Sequence, residues 1–360
     1  MHGIKSRKAV RVAWQLAFAL SFIAMCAGCA QSRGLAVRVD GNRLVDAGGR
    51  TIRLLGVDRS GGEYACVQGL GFFEGPTDAQ AIAAMAAWRI NTVRLPLNED
   101  CWLGINGAPA QYSGARYRAA VRAYVSGLNN AGLYVVLDLH WNAPARERAT
   151  QQQPMADLDH APAFWSSVAS TFRTNPAVIF DLYNEPVNIN WKCWLDGCML
   201  HGGWRTAGMQ MLVDAVRSTG ARQPIIVSGL DAGDDISGWL RYRPHDPISQ
   251  LVAGFHIYNF MPCTKVGCWN QDVAPVAQQA PVVTTEMGET WCKDVLIKSF
   301  MSWADRMGVS YIGWSWNPAG CGAPALITSW NGQPTAYGTG LRAHLIRLYQ
   351  LRQTDTETLP

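Results

Sequence analysis

The sequence predicts an α/β protein built as a (β/α)8 TIM barrel, and three observations predict it. Short apolar runs alternate with helical stretches, with no internal repeat, low-complexity tract or long linker. The runs number eight, and each is rich in Val, Ile and Leu on both faces, as parallel strands covered on two sides are. Of the 360 residues, about 330 remain after an N-terminal leader, within the range of one barrel domain. Eight alternating units suit a closed barrel better than an open sheet.

Residues 1–28 are set apart as a signal peptide. Lys5, Arg7, Lys8 and Arg11 form a basic start, Val12 to Ala24 an apolar stretch of secretory length, and small residues follow. Ala27-Gly28-Cys29 resembles a lipoprotein cleavage box, with Cys29 as the lipidated new N-terminus; Cys26 stands where that pattern usually has Leu. Ordinary cleavage nearby and an uncleaved anchor are the alternatives. The expected location is therefore exported: an outer-membrane lipoprotein, periplasmic or secreted, touching a membrane only through that lipid. The leader also explains the charge. The chain has 31 basic and 27 acidic residues, and the leader holds four of the basic ones and no acidic one, so the remainder is formally neutral. A pI near 8.5 is thus no argument for nucleic-acid binding. No run of eighteen apolar residues follows the leader.

The catalytic barrel is expected over 35–350. Gly41-Asn42 and Gly48-Gly49 read as turns of a hairpin that closes the barrel floor. The eight strands are expected at Thr51–Val57, Thr92–Leu95, Leu133–Leu139, Val178–Tyr183, Ile225–Ser228, Leu251–Tyr258, Val282–Glu286 and Tyr311–Trp316. The clearer helices are Asp78–Trp88, Ala115–Asn130, Ala163–Phe172, Gly203–Ser218 and Val295–Met307. Pro76-Thr77-Asp78 marks a helix start, and Gly132 a stop.

In a barrel the chemistry sits at the C-terminal ends of the strands. Those ends carry Arg94, His140, Asn184-Glu185, His256-Ile257-Tyr258, Glu286 and Trp314-Ser315-Trp316. Glu185 and Glu286 invite one chemical reading, because glycoside hydrolysis places two carboxyl groups about a single bond. One must hold a proton at working pH, through burial or the charge of its neighbour, while the other stays ionised. Arg94 favours an ionised partner, Tyr258 offers it a hydrogen bond, and His140 and His256 tune the pocket. Fifteen tryptophans supply flat faces for the C–H face of a sugar ring. Trp141, Trp191, Trp194, Trp204, Trp269, Trp291 and Trp314 fall in or beside loops at the presumed active face.

On these residues the chain resembles glycoside hydrolase family 5, the cellulase-like family, from about Leu35 to Leu348. The order Arg94, His140, Asn184-Glu185-Pro186, His256-x-Tyr258, Glu286-x-Gly288 and Trp314-Ser315-Trp316 carries the resemblance. It implies Glu185 as acid/base and Glu286 as nucleophile. It also implies Asn184 on the 2-hydroxyl, Arg94 and Tyr258 positioning Glu286, and His140 and His256 lining the same subsite. Trp314 is the implied stacking platform, with Trp316 as the fallback. Met287 departs from the family, which often has Phe there. The resemblance implies no cofactor or metal, a β-linked polysaccharide or oligosaccharide as substrate, and a monomer. An endo-β-1,4-glucanase is the first reading, with β-mannanase, xyloglucanase and exo-β-1,3-glucanase as alternatives. A non-catalytic glycan-binding lipoprotein would mark itself by loss of either glutamate, and both are present. A metal-dependent barrel hydrolase needs clustered His and Asp ligands at strand ends, which His140 and His256 alone do not supply.

Singly, several of these residues have blander readings. Arg94 alone is also read as a structural arginine, His140 and His256 as core histidines, and the loop tryptophans as packing. Glu289, beyond Gly288, reads as a loop residue; Glu99 and Asp100 either bind substrate or solvate a loop; His201 reads as a surface histidine. Eight body cysteines in an exported chain suggest disulfides, with 105 formal pairings. Neighbouring strand-end loops lie close in a barrel, so Cys66–Cys101 and Cys292–Cys321 are expected, with Cys193–Cys198 and Cys263–Cys268 closing within their loops. A four-thiolate zinc site from the last two pairs is the competing reading.

Overall fold

The structure, a computed structural model, describes residues 34–357. The expected signal peptide and Cys29 lie outside the described residues. A first antiparallel sheet comprises β1 (Val37–Asp40), β2 (Arg43–Asp46) and β3 (Thr51–Ile52). It turns at Gly41, whose φ of +61° suits a residue without Cβ. Eight parallel strands then close the barrel: β4 (Leu55–Asp58), β5 (Thr92–Asn98), β6 (Tyr134–Trp141), β7 (Val178–Asp181), β8 (Ile225–Ser228), β9 (Leu251–Tyr258), β10 (Val282–Gly288) and β11 (Ser310–Gly313). Neighbours pair in chain order, and β11 closes on β4 through Tyr311 opposite Leu55 and Gly313 opposite Val57.

Three expected elements are corrected. The run Thr51–Val57 is two strands: Thr51 and Ile52 pair with β2, while Leu55 begins the barrel. One apolar run serves two sheets, so its composition cannot show the break. The last strand stops at Gly313, leaving Trp314 to Trp316 beyond it. The helix expected over Gly203–Ser218 is Met209–Arg217. The residues before it form isolated bridges, Met199 with Arg205 and Asp157 with Thr206. A Cβ on Gly208 would lie 2.2 Å from the Leu195 carbonyl oxygen, so this turn needs glycine for close approach.

The hairpin plugs the floor. Val37, Val39 and Leu44 pack with Leu54, Val136, Ile179, Ile226, Val252, Val283 and Ile312, one inward residue from nearly every barrel strand. Burying each such side chain contributes about 1.5–3 kcal/mol. Side chains alternate along a strand, so every second residue above this layer also points inward. Counting upward gives Asp138 and His140 above Val136, Asp181 above Ile179, and His256 and Tyr258 above Val252. The upper layer is therefore polar where the lower is apolar.

Four disulfides tie the loops: Cys66–Cys101, Cys193–Cys198, Cys263–Cys268 and Cys292–Cys321, with Cα separations of 6.1, 5.0, 5.5 and 4.8 Å. The pairing is the expected one, and it uses every thiol that the four-thiolate zinc reading required. Among the described residues no helix is long and apolar enough to cross a membrane.

Candidate active site

Arg94 projects from β5 into the polar layer and is fully buried. Its Nε donates to Asp181 Oδ2 at 2.9 Å. Its Nη1 donates to Asp58 Oδ1 at 3.0 Å and to Glu286 Oε1 at 2.8 Å, and its Nη2 to Asn184 Oδ1 at 2.8 Å. Asp138 Oδ2 lies 3.1 Å from Nη2. One planar cation thus holds five groups from four strands or their ends in fixed positions.

Glu286 reaches this layer through a bulge. Thr284 of β10 pairs with Phe255 of β9, yet Glu286 pairs with His256, so two β10 residues advance against one. Strict alternation from inward Val283 would aim Thr285 into the mouth; the extra residue re-aims the strand and brings Glu286 in instead. There Tyr258 Oη donates to Glu286 Oε2 at 2.6 Å. Glu185 follows β7 and lies beside His256, whose Nδ1 is 3.1 Å from Glu185 Oε1 and 3.7 Å from Glu286 Oε2. An oxygen of each glutamate lies within 4.8 Å of the other. His256 Nε2 contacts Thr285 Oγ1 at 3.0 Å, so the bulge residue also steadies this ring.

The charges are sorted by burial. Burial raises the Glu185 carboxyl above the usual range, against the opposing pull of His140 and Arg94. Burial raises Asp58 well above its ordinary value and Asp181 to about 8, although Arg94 works the other way in both. At neutral pH the acids around Arg94 therefore do not all carry charge. Burial lowers His256 to about 4, leaving it neutral. His140 goes the other way. Burial disfavours its charge, but the Asp138 carboxylate 2.6 Å from Nδ1 outweighs that and lifts it to about 9.

Trp314 is half-buried, and its ring lies parallel to His140 at a centroid distance of 5.4 Å and 9°. The structure thus brings together Arg94, His140, Asn184, Glu185, His256, Tyr258, Glu286 and Trp314. It does not bring Trp316, which corrects the fallback: that side chain is 1% exposed and packs edge-on against Trp88 at 4.8 Å. With the strand ended at Gly313, Trp316 turns under the rim into the core. Trp194 and Trp269 are likewise buried packing, whereas Trp291 is exposed and Trp141, Trp191 and Trp204 are half-buried. Glu99 and Asp100 are buried beneath the loop at 143–149 and accept from its backbone N–H groups at Ala143 and Ala149, so they hold that loop from below rather than solvate it. Glu289 accepts from the Ile297 N–H at the head of the helix Val295–Met307, and His201 is exposed.

Sequence reasoning missed Asp58, Asp138, Asp181 and Gln152. The three aspartates sit in apolar strands at inward positions, a signal that strand alternation carries once the floor layer is known. Gln152 carries no such signal. From a loop it accepts from Asn184 Nδ2 at 3.0 Å and donates to the Glu185 carbonyl oxygen at 2.8 Å.

The family model for cellulase (glycosyl hydrolase family 5) matches residues 45–320. The chain belongs to glycosyl hydrolase family 5. Among curated relatives of this family 5 hydrolase is a mannan endo-1,4-beta-mannosidase of Streptomyces lividans. It is 25% identical over 337 residues, 87% of this chain and 76% of the relative. Endoglucanase 1 of Saitozyma flava is 26% identical over 187 residues, and the match spans 47% of this chain and 49% of that enzyme. Among solved structures, a β-glucanase from Saccharophagus degradans superposes with a TM-score of 0.68 at 19% identity, covering 88% of this chain and 94% of that one; it is also known in complex with cellotetraose. A hyperthermophilic endocellulase from Pyrococcus horikoshii gives 0.67 at 18% identity, covering 87% and 98%. These structural likenesses establish the shared fold.

Proposed function

We propose that this glycoside hydrolase is a retaining enzyme that cuts within a β-linked polysaccharide, with Glu185 as acid/base and Glu286 as nucleophile. The carboxylate spacing carries the reading. Oxygens within 4.8 Å of each other lie nearer to the separation of about 5–5.5 Å used by retaining enzymes than to the about 6.5–9.5 Å across which inverting enzymes hold a water. The environments are unequal in the sense that the roles require. Both oxygens of Glu286 accept hydrogen bonds, from Arg94 and Tyr258, as an attacking carboxylate's would. Glu185 has burial to favour its proton. With neutral His256 donating from Nε2 to Thr285, the Nδ1 lone pair faces that protonated carboxyl.

In the first step a Glu286 oxygen bonds to the anomeric carbon as the glycosidic C–O bond breaks, and Glu185 gives its proton to the departing sugar oxygen. In the second, Glu185 takes a proton from water, whose oxygen attacks the same carbon and releases Glu286. Two displacements restore the β configuration. Trp314 serves as the floor beneath the reacting ring, and Asn184, held by Arg94 and Gln152, meets its 2-hydroxyl.

For the substrate, an endo-β-1,4-glucanase is the first reading, supported by the endoglucanase relatives. An equatorial 2-hydroxyl also suits the amide plane of Asn184. A β-mannanase is the second, favoured by the mannosidase aligned over 87% of this chain. The product profile on carboxymethylcellulose, galactomannan, xyloglucan and laminarin decides between them. Oligosaccharides released from carboxymethylcellulose are expected; activity on galactomannan alone would overturn the glucanase reading and leave the two-glutamate mechanism intact. We also propose export with lipid on Cys29, supported by four disulfides of the kind that persist in oxidising compartments. Intact mass of the membrane-extracted protein is the test, and a free α-amine on a residue other than Cys29 would refute it.

A further inference from the structure

We propose that the outer face of the barrel floor, opposite the candidate active site, docks on a membrane surface bearing anionic phospholipid headgroups. It concerns a different face from the two glutamates and stands apart from the mechanism proposed for them.

Two cavities open on that face. The first, of about 610 Å³, lies against β2 and β3 beside the starts of β5, β10 and β11, where Asn91, Val282 and Ser310 line it. Arg43, Arg53, Arg306 and Arg352 line it too, against one carboxylate, Asp305. The second, of about 380 Å³, lies against β1 beside the starts of β7, β8 and β9, and Arg38, Arg173 and Arg222 line it against Asp46 alone. Seven arginines thus meet two aspartates at one end of a chain whose body is formally neutral. Some of that charge is paired within the fold: Arg53 with Asp305 at 2.6 Å, and Arg38 with Asp40 at 3.5 Å. Arg43, Arg222 and Arg306 are exposed and have no ion-pair partner among the described residues. Arg306 stands in the last turn of the helix Val295–Met307 and complements its dipole. Arg43 lies on a strand and Arg222 in a loop, where no such role explains them. Leu351, 55% exposed, lines the larger cavity among these cations, the mixture of apolar and basic side chains that suits a lipid interface.

Position selects a lipid surface over a soluble anion. Cys29, the residue proposed to carry lipid, stands eight positions before Val37 of β1, at most about 29 Å of chain. Because β1 is on the floor, a bilayer reached by that lipid meets this face of the barrel, and the mouth opens away from it toward the glycan. An anionic surface favours each arginine beside it by a factor of about five, and the arginines act together within a screening length of about 10 Å in 0.1 M salt.

The test is cosedimentation of the full chain as exported, at limiting lipid, with vesicles of phosphatidylcholine alone and of an equal mixture of phosphatidylcholine and phosphatidylglycerol. A lipid on Cys29 inserts into both alike and cancels in the ratio of the two partition constants, so failure of the lipidation reading leaves the test intact. The wild-type ratio is expected to reach about a hundredfold in about 0.1 M salt and to fall toward one in about 1 M salt, where screening shortens to about 3 Å. This comparison needs no substitution. The variant Arg43→Glu with Arg222→Glu and Arg306→Glu should bring the low-salt ratio to one or below. Arg116→Glu with Arg146→Glu and Arg205→Glu makes the same change of net charge at exposed positions on the mouth side, at the head of the helix Ala115–Asn130 and in the loops after β6 and β7, and should keep most of the ratio. A wild-type ratio near one, or an equal loss in the two variants, would overturn the floor as a docking face.

Discussion

Arg94 donates to three side-chain carboxylates and an amide from β4, β7 and β10 or their ends, and the individual residues around it differ mainly in whether they keep a proton. That difference is measurable in the two glutamates. Glu286→Ala should lose activity on all glycosides and regain it with azide, which attacks the vacated face and gives the inverted glycosyl azide. Glu185→Ala should keep activity on a dinitrophenyl glycoside, whose leaving group needs no protonation, while losing natural substrates. The reverse pattern would exchange the two roles. The same sorting predicts a pH dependence of stability. Asp181 is raised from 3.8 to about 8 and His140 from 6.5 to about 9, so each holds a proton in the folded chain that the unfolded chain releases earlier. Their contribution is complete below the unfolded values and is lost as pH rises toward the folded ones. Between pH 6.5 and 8 both losses act together. His256, lowered to about 4, gains stability only as pH rises toward 6.5 and adds no slope above it. Denaturation midpoints should therefore fall from pH 6.5 to 8. Asp181→Asn should remove up to one proton of that slope, about 1.4 kcal/mol per pH unit; an unchanged slope would exclude Asp181 as a source.

Among elements, the active face is held by covalent and bulge geometry. The bulge in β10 turns Glu286 inward, and two of the four disulfides, Cys66–Cys101 and Cys292–Cys321, join loops that follow adjacent strands. The Cys66–Cys101 bridge closes a loop with a sequence separation of 35, for which the chain-entropy model gives about 3–4 kcal/mol of stabilisation. The double variant Cys66→Ser with Cys101→Ser should lower the free energy of unfolding by about that amount in urea titration. A loss under about 1 kcal/mol would mean that the unfolded chain is already restrained there.

Over the whole molecule, the barrel divides its interior into an apolar floor under the hairpin and a polar mouth that carries the chemistry. Closure sets the distance between Glu185 on one side and Glu286 on the other, so stereochemistry is a property of the whole fold. The first product formed from a β-glycoside should be the β anomer, followed by NMR before mutarotation. An α-anomer appearing first would exclude the covalent mechanism.

Local pattern in the sequence was sufficient for the number and order of the eight barrel strands and for the four cysteine pairs, and it put Glu185 and Glu286 at strand ends. Strand composition, loop adjacency and strand-end residues are short-range or topological features, and they survive without coordinates. The partners of Arg94 were not legible in the same way: Glu286 lies 192 positions away and Asp181 lies 87 away, and only ring closure makes them neighbours. Parity along each strand placed Asp58, Asp138 and Asp181 in the mouth, but parity needs a reference layer that the folded floor supplies. Tertiary structure alone decided three further points. The run at 51–57 feeds two sheets, one extra residue in β10 turns Glu286 inward, and Trp316 is buried while Trp314 remains at the mouth. Each is a choice between faces that the same residue types allow equally, and packing across the barrel, not local preference, selects one.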